Sequence, residues 1–456
     1  MKYVFALLAV SCLVSAGFAQ YWTGPYLLGS GSSSDINPSA CKEFLSSDKT
    51  CLVWQRLTCE SPNIFSRFGS LHDGSDWSPE AALTRDTSYD NVNPAVACVR
   101  DSSYWCVWEH RVSMLVGSIW ASFATYGDIW SSPVELGPVT HTDGDSAMPG
   151  IITVNGASAD TVWVAWRNHD TSGTYIRCVY HAGDSWSSPG IAVTADLKHV
   201  RLGRYQGKPL LVWEQSGDIW YSVPEASGWS SPVEVAPSDS EDHDPDVVSG
   251  GGVMDWGTYV VWQSLRDGDT AVYIAGPDSF SAGQRVCEGS GAGRNFSPAG
   301  ADVAFTTADY WSCLVAWVSD RNGNPDIYTS MGGGGDVWVD RNSADDLSPV
   351  VTCLGNGYGA QMAWVIWQSN RNGNWDIFGS YMYNSGVEES FRPQAPSLKQ
   401  VPTVLSGASG VRRLASCAVF DAMGRRVLNP RSGVYFVLEA RAQTQAQAVT
   451  KVIVER

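Results

Sequence analysis

Asp320, Asn322, Asn324 and Asp326 alternate along the stretch SDRNGNPDIY and offer four hard oxygen donors. Alternating oxygen donors in a short loop suit Ca2+, which is bound by carboxylate and carbonyl oxygens. A second set is dispersed. Asp35, Asp145, Asp242 and Asp346 each stand three or four residues before a proline, at Pro38, Pro149, Pro245 and Pro349. Asn91 and Asn295 hold the same place before Pro94 and Pro298, and the segment SDSEDHDPD adds His243 and Asp244. If the fold gathers these loops, the carboxylates raise one another's pKa unless a cation sits among them. The chemistry would then be binding, of Ca2+ or of a polyhydroxylated ligand. The competing reading is structural, with Asx side chains capping the turn before a strand. No phosphate-binding glycine loop, nucleophile elbow or zinc-protease helix occurs. No Cys-x-x-Cys pair stands among the eleven cysteines.

What must position these residues is a repeat. An apolar run ending in tryptophan occurs seven times, at Trp54, Trp108, Trp166, Trp213, Trp262, Trp317 and Trp367, spaced 47 to 58 residues apart. Each run is short, β-branched or aromatic, and bounded by polar turns, which is a strand signal. An aromatic three residues earlier, as at Trp105, Trp163, Tyr259 and Trp364, faces the other side of the strand, so both faces should be buried. Upstream comes a small apolar strand, usually with the proline. Downstream comes a strand such as DIWYSV, DIYTSM or DIFGSY, and then a Trp-Ser-Pro strand such as WSSPVEL. Proline cannot donate to a ladder, so that last strand belongs on the outer edge. The seventh unit lacks its Trp-Ser-Pro strand, and YWTGPYLLG at 21–29 supplies it. Only a closed ring needs this exchange. The expectation is an all-β fold in which residues 20–384 form a seven-bladed β-propeller closed by the N-terminal strand. In that frame SDRNGNPDIY links the second strand of a blade to the third. Asn322-Gly323, like Asn372-Gly373, supplies the positive φ of a tight hairpin. The hairpin reading is preferred to the calcium reading because other blades replace the loop, as in EQSGDIW, and keep the strands.

The two ends differ from the body. Lys2, an apolar run and small residues make 1–19 a secretory signal peptide. That run is short of the ~20 apolar residues a membrane span needs, and no transmembrane segment is expected elsewhere. The mature chain should be secreted or attached to the cell surface. Export permits disulfides, and Cys41 with Cys51 and Cys98 with Cys106 are candidates; otherwise these are small buried hydrophobes. The chain carries a formal charge of −17. From Phe391 onward ten Lys/Arg face three Asp/Glu, whereas the rest, without Lys2, has 19 basic and 44 acidic residues. This reversal marks a boundary, with a linker at 385–402 and a small β-sandwich at 403–456. The acidic body should repel nucleic acid.

Two resemblances add to this. The blade, with Asx-x-x-Pro, a Val-Trp strand, Asp-Ile-Tyr and Gly-x-x-Trp-Ser, resembles the sialidase-superfamily propellers, and SDRNGNPDIY resembles the TolB-like repeat. The sialidase-type Asp-box survives only as its tail, in Gly74-x-x-Trp77, Gly127-x-x-Trp130 and Gly183-x-x-Trp186. The tail CAVFDAMGRRVLNPRSGVYFVLEA, ending VTKVIVER, resembles the C-terminal sorting domain of the bacterial type IX secretion system. That resemblance implies secretion and sorting machinery as a partner.

The expected function is a non-catalytic binding module for a glycan, peptide or protein, with Asp35, Asp145, Asp242 and Asp346 as ligand contacts. A sialidase-like glycoside hydrolase or lyase, or a structural surface-layer component, are the alternatives. A sialidase would need three convergent arginines, for which Arg56, Arg100, Arg167, Arg266, Arg321 and Arg371 are available near blade hairpins. Repeat tryptophans should be core. Trp256, Tyr310, Trp311 and Trp375 fall outside the repeat and are better placed to meet a ligand.

Overall fold

The computed structural model describes residues 22–41, 49–70, 76–99, 103–155, 160–248, 258–276, 280–287, 293–304, 311–331, 335–354, 361–384, 403–406, 418–420, 433–440 and 447–455. The signal peptide and linker expected at 1–19 and 385–402 lie outside them. Every regular element among the described residues is a strand, and none of them forms a helix long and apolar enough to cross a membrane. The chain divides into two units, Met1–Glu388 and Glu389–Arg456.

The first unit is the seven-bladed propeller. In each blade the tryptophan run is the second strand, hydrogen-bonded antiparallel between the first and the third. The repeat tryptophans are at most 1% exposed, so they are core. Each such side chain removes roughly 150–250 Å2 from water, worth ~4–6 kcal/mol before its ordering entropy. The seven first strands are Asp35–Ala40, Asp90–Val99, Gly150–Val154, Leu197–Tyr205, Asp242–Val248, Asn295–Ala304 and Asp346–Leu354. Each touches the next and the last touches the first, so together they surround one axis.

The Trp-Ser-Pro motif solves an edge problem. Proline breaks the outer strand's ladder, and the preceding serine compensates. The Ser131 N–H donates to the Phe123 carbonyl (2.7 Å), and its Oγ accepts the Phe123 N–H (3.0 Å). Ser78, Ser187 and Ser230 make the same pair of bonds to Phe68, Tyr180 and Val223.

Closure follows the expected exchange. Thr23–Gly29 pairs antiparallel with Asp376–Asn384, with Tyr26 opposite Gly379 and Leu27 opposite Phe378. Leu28 is 1% exposed. It fills the space over Gly379, where a Cβ would come within 2.7 Å of the Leu28 Cδ1. The cysteines expected as possible disulfides are buried free thiols. Cys98 lies opposite Tyr104, not Cys106, which faces Val96.

In the second unit the described strands form one four-stranded sheet, in the order Thr403–Ser406, Gln447–Glu455, Gly433–Ala440, Ala418–Phe420. Its first pair is parallel and the others antiparallel.

Candidate functional site: the channel mouth

The aspartates read from the sequence occupy the seams between blades. Asp35 is fully buried and bonded by Arg56 through two contacts, Nε to Oδ1 at 2.6 Å and Nη2 to Oδ2 at 2.7 Å. Asp242 takes Arg266 Nη2 at 2.5 Å, and Asp346 takes Arg371 Nη2 at 3.1 Å. Burial raises the pKa of both Asp35 and Asp346, against the pull of these arginines. The backbone N–H groups of Asp35, Asn91, Asp242, Asn295 and Asp346 donate to carbonyls of the preceding blade, at Trp375, Pro62, Gly217, Thr270 and Pro325. Where asparagine replaces aspartate, the amide oxygen accepts the tryptophan indole, Trp108 to Asn91 at 2.9 Å and Trp317 to Asn295 at 3.1 Å, and that of Asn295 also accepts Arg321 Nη2 at 2.8 Å. Asp145 differs. Its side chain is 53% exposed, 3.7 Å from Arg167, while Arg167 makes its close pair with Asp143. The structure therefore does not bring Asp35, Asp145, Asp242 and Asp346 together; each faces an arginine of its own blade.

The loop Asp320–Asp326 forms a hairpin turn, with Gly323 at φ 102°. Its oxygen donors turn to different partners. Asp320 receives Arg294 Nε at 2.9 Å, Asn322 donates to the Tyr328 hydroxyl, and Asn324 donates to Asp326 Oδ1 at 3.1 Å and to the Ala344 carbonyl at 2.6 Å. Asp326 is buried, and burial raises its pKa to about 6. Among the non-repeat aromatics, Trp256 and Tyr310 lie outside the described residues, and the Trp375 carbonyl serves the closing seam.

The residues that do converge on the axis lie two positions further along. The residue just before the blade proline, or before Val200 in the fourth blade, which lacks the proline, has positive φ in every blade: Asn37, Asn93, Met148, His199, Asp244, Ser297 and Ser348, between 44° and 54°. In six of the seven first strands the pairing register shifts there, marking a β-bulge. Bulges re-aim side chains. Here neighbouring bulge residues meet, Asn37 Nδ2 with Asn93 Oδ1 at 3.5 Å and His199 Nδ1 with Asp244 Oδ1 at 3.1 Å. Standing at equivalent places on the seven first strands that surround the axis, the seven residues are taken as the mouth of the channel.

Beneath them the residue following the repeat tryptophan reaches across to the next blade. Gln368 Oε1 accepts the Asn37 N–H (2.9 Å), Gln55 Oε1 the Asn93 N–H (3.3 Å), Glu109 Oε2 the Ala147 N–H (3.3 Å) and Glu214 Oε2 the Asp244 N–H (3.3 Å). Two of these acceptors are carboxylates. Glu109 is buried, which would raise its pKa, but His141 Nε2 at 2.6 Å and Arg111 Nε at 2.5 Å outweigh that and lower it. Glu214 is likewise held down, to about 2: burial opposes, and hydrogen bonds from His199 Nδ1 (2.9 Å) and His243 Nδ1 (3.1 Å) prevail. His243, which burial would lower, is raised by Glu214 and then Glu241. Deeper in the channel Arg201 Nε lies 3.9 Å from Asp246.

The sequence singles out the residue three before the proline and, of the seven mouth residues, only Asp244. The seven mouth residues share no side-chain type. Their common signal is positional: the following proline in all blades but the fourth, and a Gln or Glu one residue after the repeat tryptophan in most blades.

No protein-family model matches the chain, and no curated protein matches it. Solved structures of similar fold exist at low identity. A protein of unknown function from Dyadobacter fermentans DSM 18053 aligns over 79% of this chain and 98% of its own, at 10% identity and a TM-score of 0.49. The leech intramolecular trans-sialidase aligns over 81% and 71%, at 11% identity and a TM-score of 0.41. The hemagglutinin-neuraminidase ectodomain of parainfluenza virus 5 aligns over 80% and 83%, at 10% identity and a TM-score of 0.44. The propeller assignment rests on the strand pairing itself.

Proposed function

We propose that the chain is an exported propeller that binds a glycan, peptide or protein at the channel mouth without catalysis. The observation that carries this reading is the commitment of the arginines. Arg56, Arg167, Arg266, Arg321 and Arg371 each pair with an aspartate at a blade seam, at Asp35, Asp143, Asp242, Asp336 and Asp340. These five are thereby withdrawn from a shared cluster that could clamp a substrate carboxylate, which disfavours a sialidase-type reaction. The mouth instead offers amides, hydroxyls, a thioether and one His/Asp pair on a fixed backbone, a mixed surface suited to recognition. The leader at 1–19 and the tail at 403–456 support delivery to the outside by a type IX-like route, on the strength of their motifs.

The test uses the mature full chain. Fluorogenic sialoside and α-L-arabinofuranoside should give no turnover. A glycan and peptide array should give binding that Asn93→Ala combined with Ser297→Ala weakens. Turnover of either substrate that falls on substitution of a mouth residue would overturn the reading, as would an array without any binding.

A further inference from the structure

The mouth between the fourth and fifth blades has a feature that its hydrogen bonds leave unexplained. Two carboxylates converge on one ring nitrogen: Glu214 Oε2 lies 2.9 Å and Asp244 Oδ1 3.1 Å from His199 Nδ1. An imidazole Nδ1 carries one proton or one lone pair, so it gives a full hydrogen bond to only one of them. The ligand atoms of His199, Glu214 and Asp244 all lie within 4.8 Å of one another, and this is the one such grouping of three among the described residues. Two ligands held at about 2.0–2.2 Å from a common ion, at angles near those of a tetrahedron or octahedron, stand ~2.9–3.5 Å apart. The separations of Glu214 Oε2 and Asp244 Oδ1 from His199 Nδ1 fall in that range.

The rest of the geometry is that of a built site. His199 is held by the bulge, with φ 46°, and its side chain is 33% exposed. Glu214 is 10% exposed and Asp244 36%, so one anchor is buried and the other two meet solvent. Behind the anchor, His243 Nδ1 holds the second oxygen of Glu214 at 3.1 Å, while Oε2, which also accepts the Asp244 N–H at 3.3 Å, faces His199. Such outer partners orient ligand carboxylates in metal sites. The other buried glutamate at a seam, Glu109, makes an instructive contrast, because the permanent charge of Arg111 already neutralises it. Among the described residues the basic side chains paired with Glu214 are both histidines. With neutral imidazoles the trio carries two negative charges.

We propose that His199 Nδ1, Glu214 Oε2 and Asp244 Oδ1 form a three-ligand site for a divalent cation of the zinc class, with its remaining positions open toward the mouth. Imidazole with two carboxylates selects this class over Ca2+, which takes six to eight oxygens and has little use for nitrogen. The open positions would take water or the oxygen atoms of a ligand at the mouth, so the metal would extend the binding function proposed above. The protein alone supplies all three ligands. Metal binding is therefore measured without any mouth ligand, and its outcome is separable from that of the array experiment.

The experiment uses the untagged mature chain, stripped with chelator and then titrated with Zn2+, Ca2+ and Co2+ alone. One Zn2+ per chain should remain after gel filtration, and Co2+ should give visible d–d absorption of a nitrogen- and oxygen-ligated ion. His199→Ala and Asp244→Asn, both at partly exposed positions, should each weaken Zn2+ by more than the ~10–100-fold that loss of an outer partner costs. Asn37→Ala, at the equivalent place in the first blade, should leave it unchanged. Circular dichroism and thermal melting establish that the variants are folded. Failure to retain Zn2+, equal retention by His199→Ala, or binding of Ca2+ as tight as that of Zn2+ would overturn the proposal.

Discussion

The seam between blades one and two and the seam between blades four and five share one backbone and differ in charge. At the first, Asn37 Nδ2 reaches Gln55 Oε1 at 3.4 Å, and Gln55 accepts the Asn93 N–H at 3.3 Å. At the second, His199 Nδ1 reaches Glu214 Oε2 at 2.9 Å, and Glu214 accepts the Asp244 N–H at 3.3 Å. Asn37, Gln55 and Asn93 correspond one for one with His199, Glu214 and Asp244. The amide set is neutral: Asn37 Nδ2 donates to Gln55 and Asn93, and Asn93 Nδ2 passes on to Glu109 at 3.4 Å. The charged set has more acceptors than donors and calls for a cation. The repeat thus keeps the acceptor that joins blade to blade, and leaves its charge and the side chains above it free to differ.

If the layer beneath is shared by all blades, breaking it should cost the same at any seam. Arg56→Ala at the closing seam and Arg266→Ala at the seam between blades four and five each strip a buried aspartate, Asp35 or Asp242, of its guanidinium. Each should cost ~3–5 kcal/mol in urea unfolding. A large inequality between the two would mean that the seams are not equivalent supports. A smaller effect separates the layer above. Gln55→Glu buries a carboxylate beside two asparagines that bring no positive charge, and should cost about 1–3 kcal/mol at neutral pH. Glu214→Gln keeps an oxygen for the Asp244 N–H and should cost less. Equal costs would show that charge at this position is irrelevant.

The smallest effect concerns acid. The pKa of Glu109 in the folded protein lies below its ordinary 4.5. Its contribution to stability is therefore complete above pH 4.5 and is lost as the pH falls through the lower folded value. The melting-temperature gap between wild type and Glu109→Gln should shrink on acidification below pH 4.5. The gap for Gln55→Ala, an uncharged acceptor, should hardly change. A Glu109 gap that widens in acid would contradict the roles given to His141 and Arg111.

Much of the fold was legible because every blade must solve the same packing problem. Each needs a tryptophan in its second strand, and the missing outer strand of the seventh blade announces itself by its absence. The site was less legible for a physical reason. Asp35 and Asn37 lie two apart, and simple alternation would put both on one face. The positive φ at Asn37 shifts the register between Ile36 and Ser39 and separates their fates. Asp35 turns to Arg56 and Asn37 to the mouth. A bulge has no fixed residue type, since here Asn, His, Asp and Ser all adopt it. Nor does Glu214 in EQSGDIW reveal that His199 will lie 2.9 Å away from the inner strand of its own blade.

The exchanged strand Thr23–Gly29 also sets the order of events in folding. The seam bond from the Asn37 N–H to Gln368 joins residues 331 apart in the chain, and the pairing of Tyr26 with Gly379 joins residues further apart still. Joining ends so distant in an unfolded chain costs roughly 5 kcal/mol of loop entropy. Six blades can each form from neighbouring segments and bring the two ends together before that cost is met. The seventh blade is then completed last, by a strand made first. Until that moment Asp376–Asn384 presents an unpaired edge, open to the same segment of any other copy. At high concentration the reward for a slow closure is therefore an exchanged dimer or an open chain of propellers, built with the native hydrogen bonds and no misfolding at all.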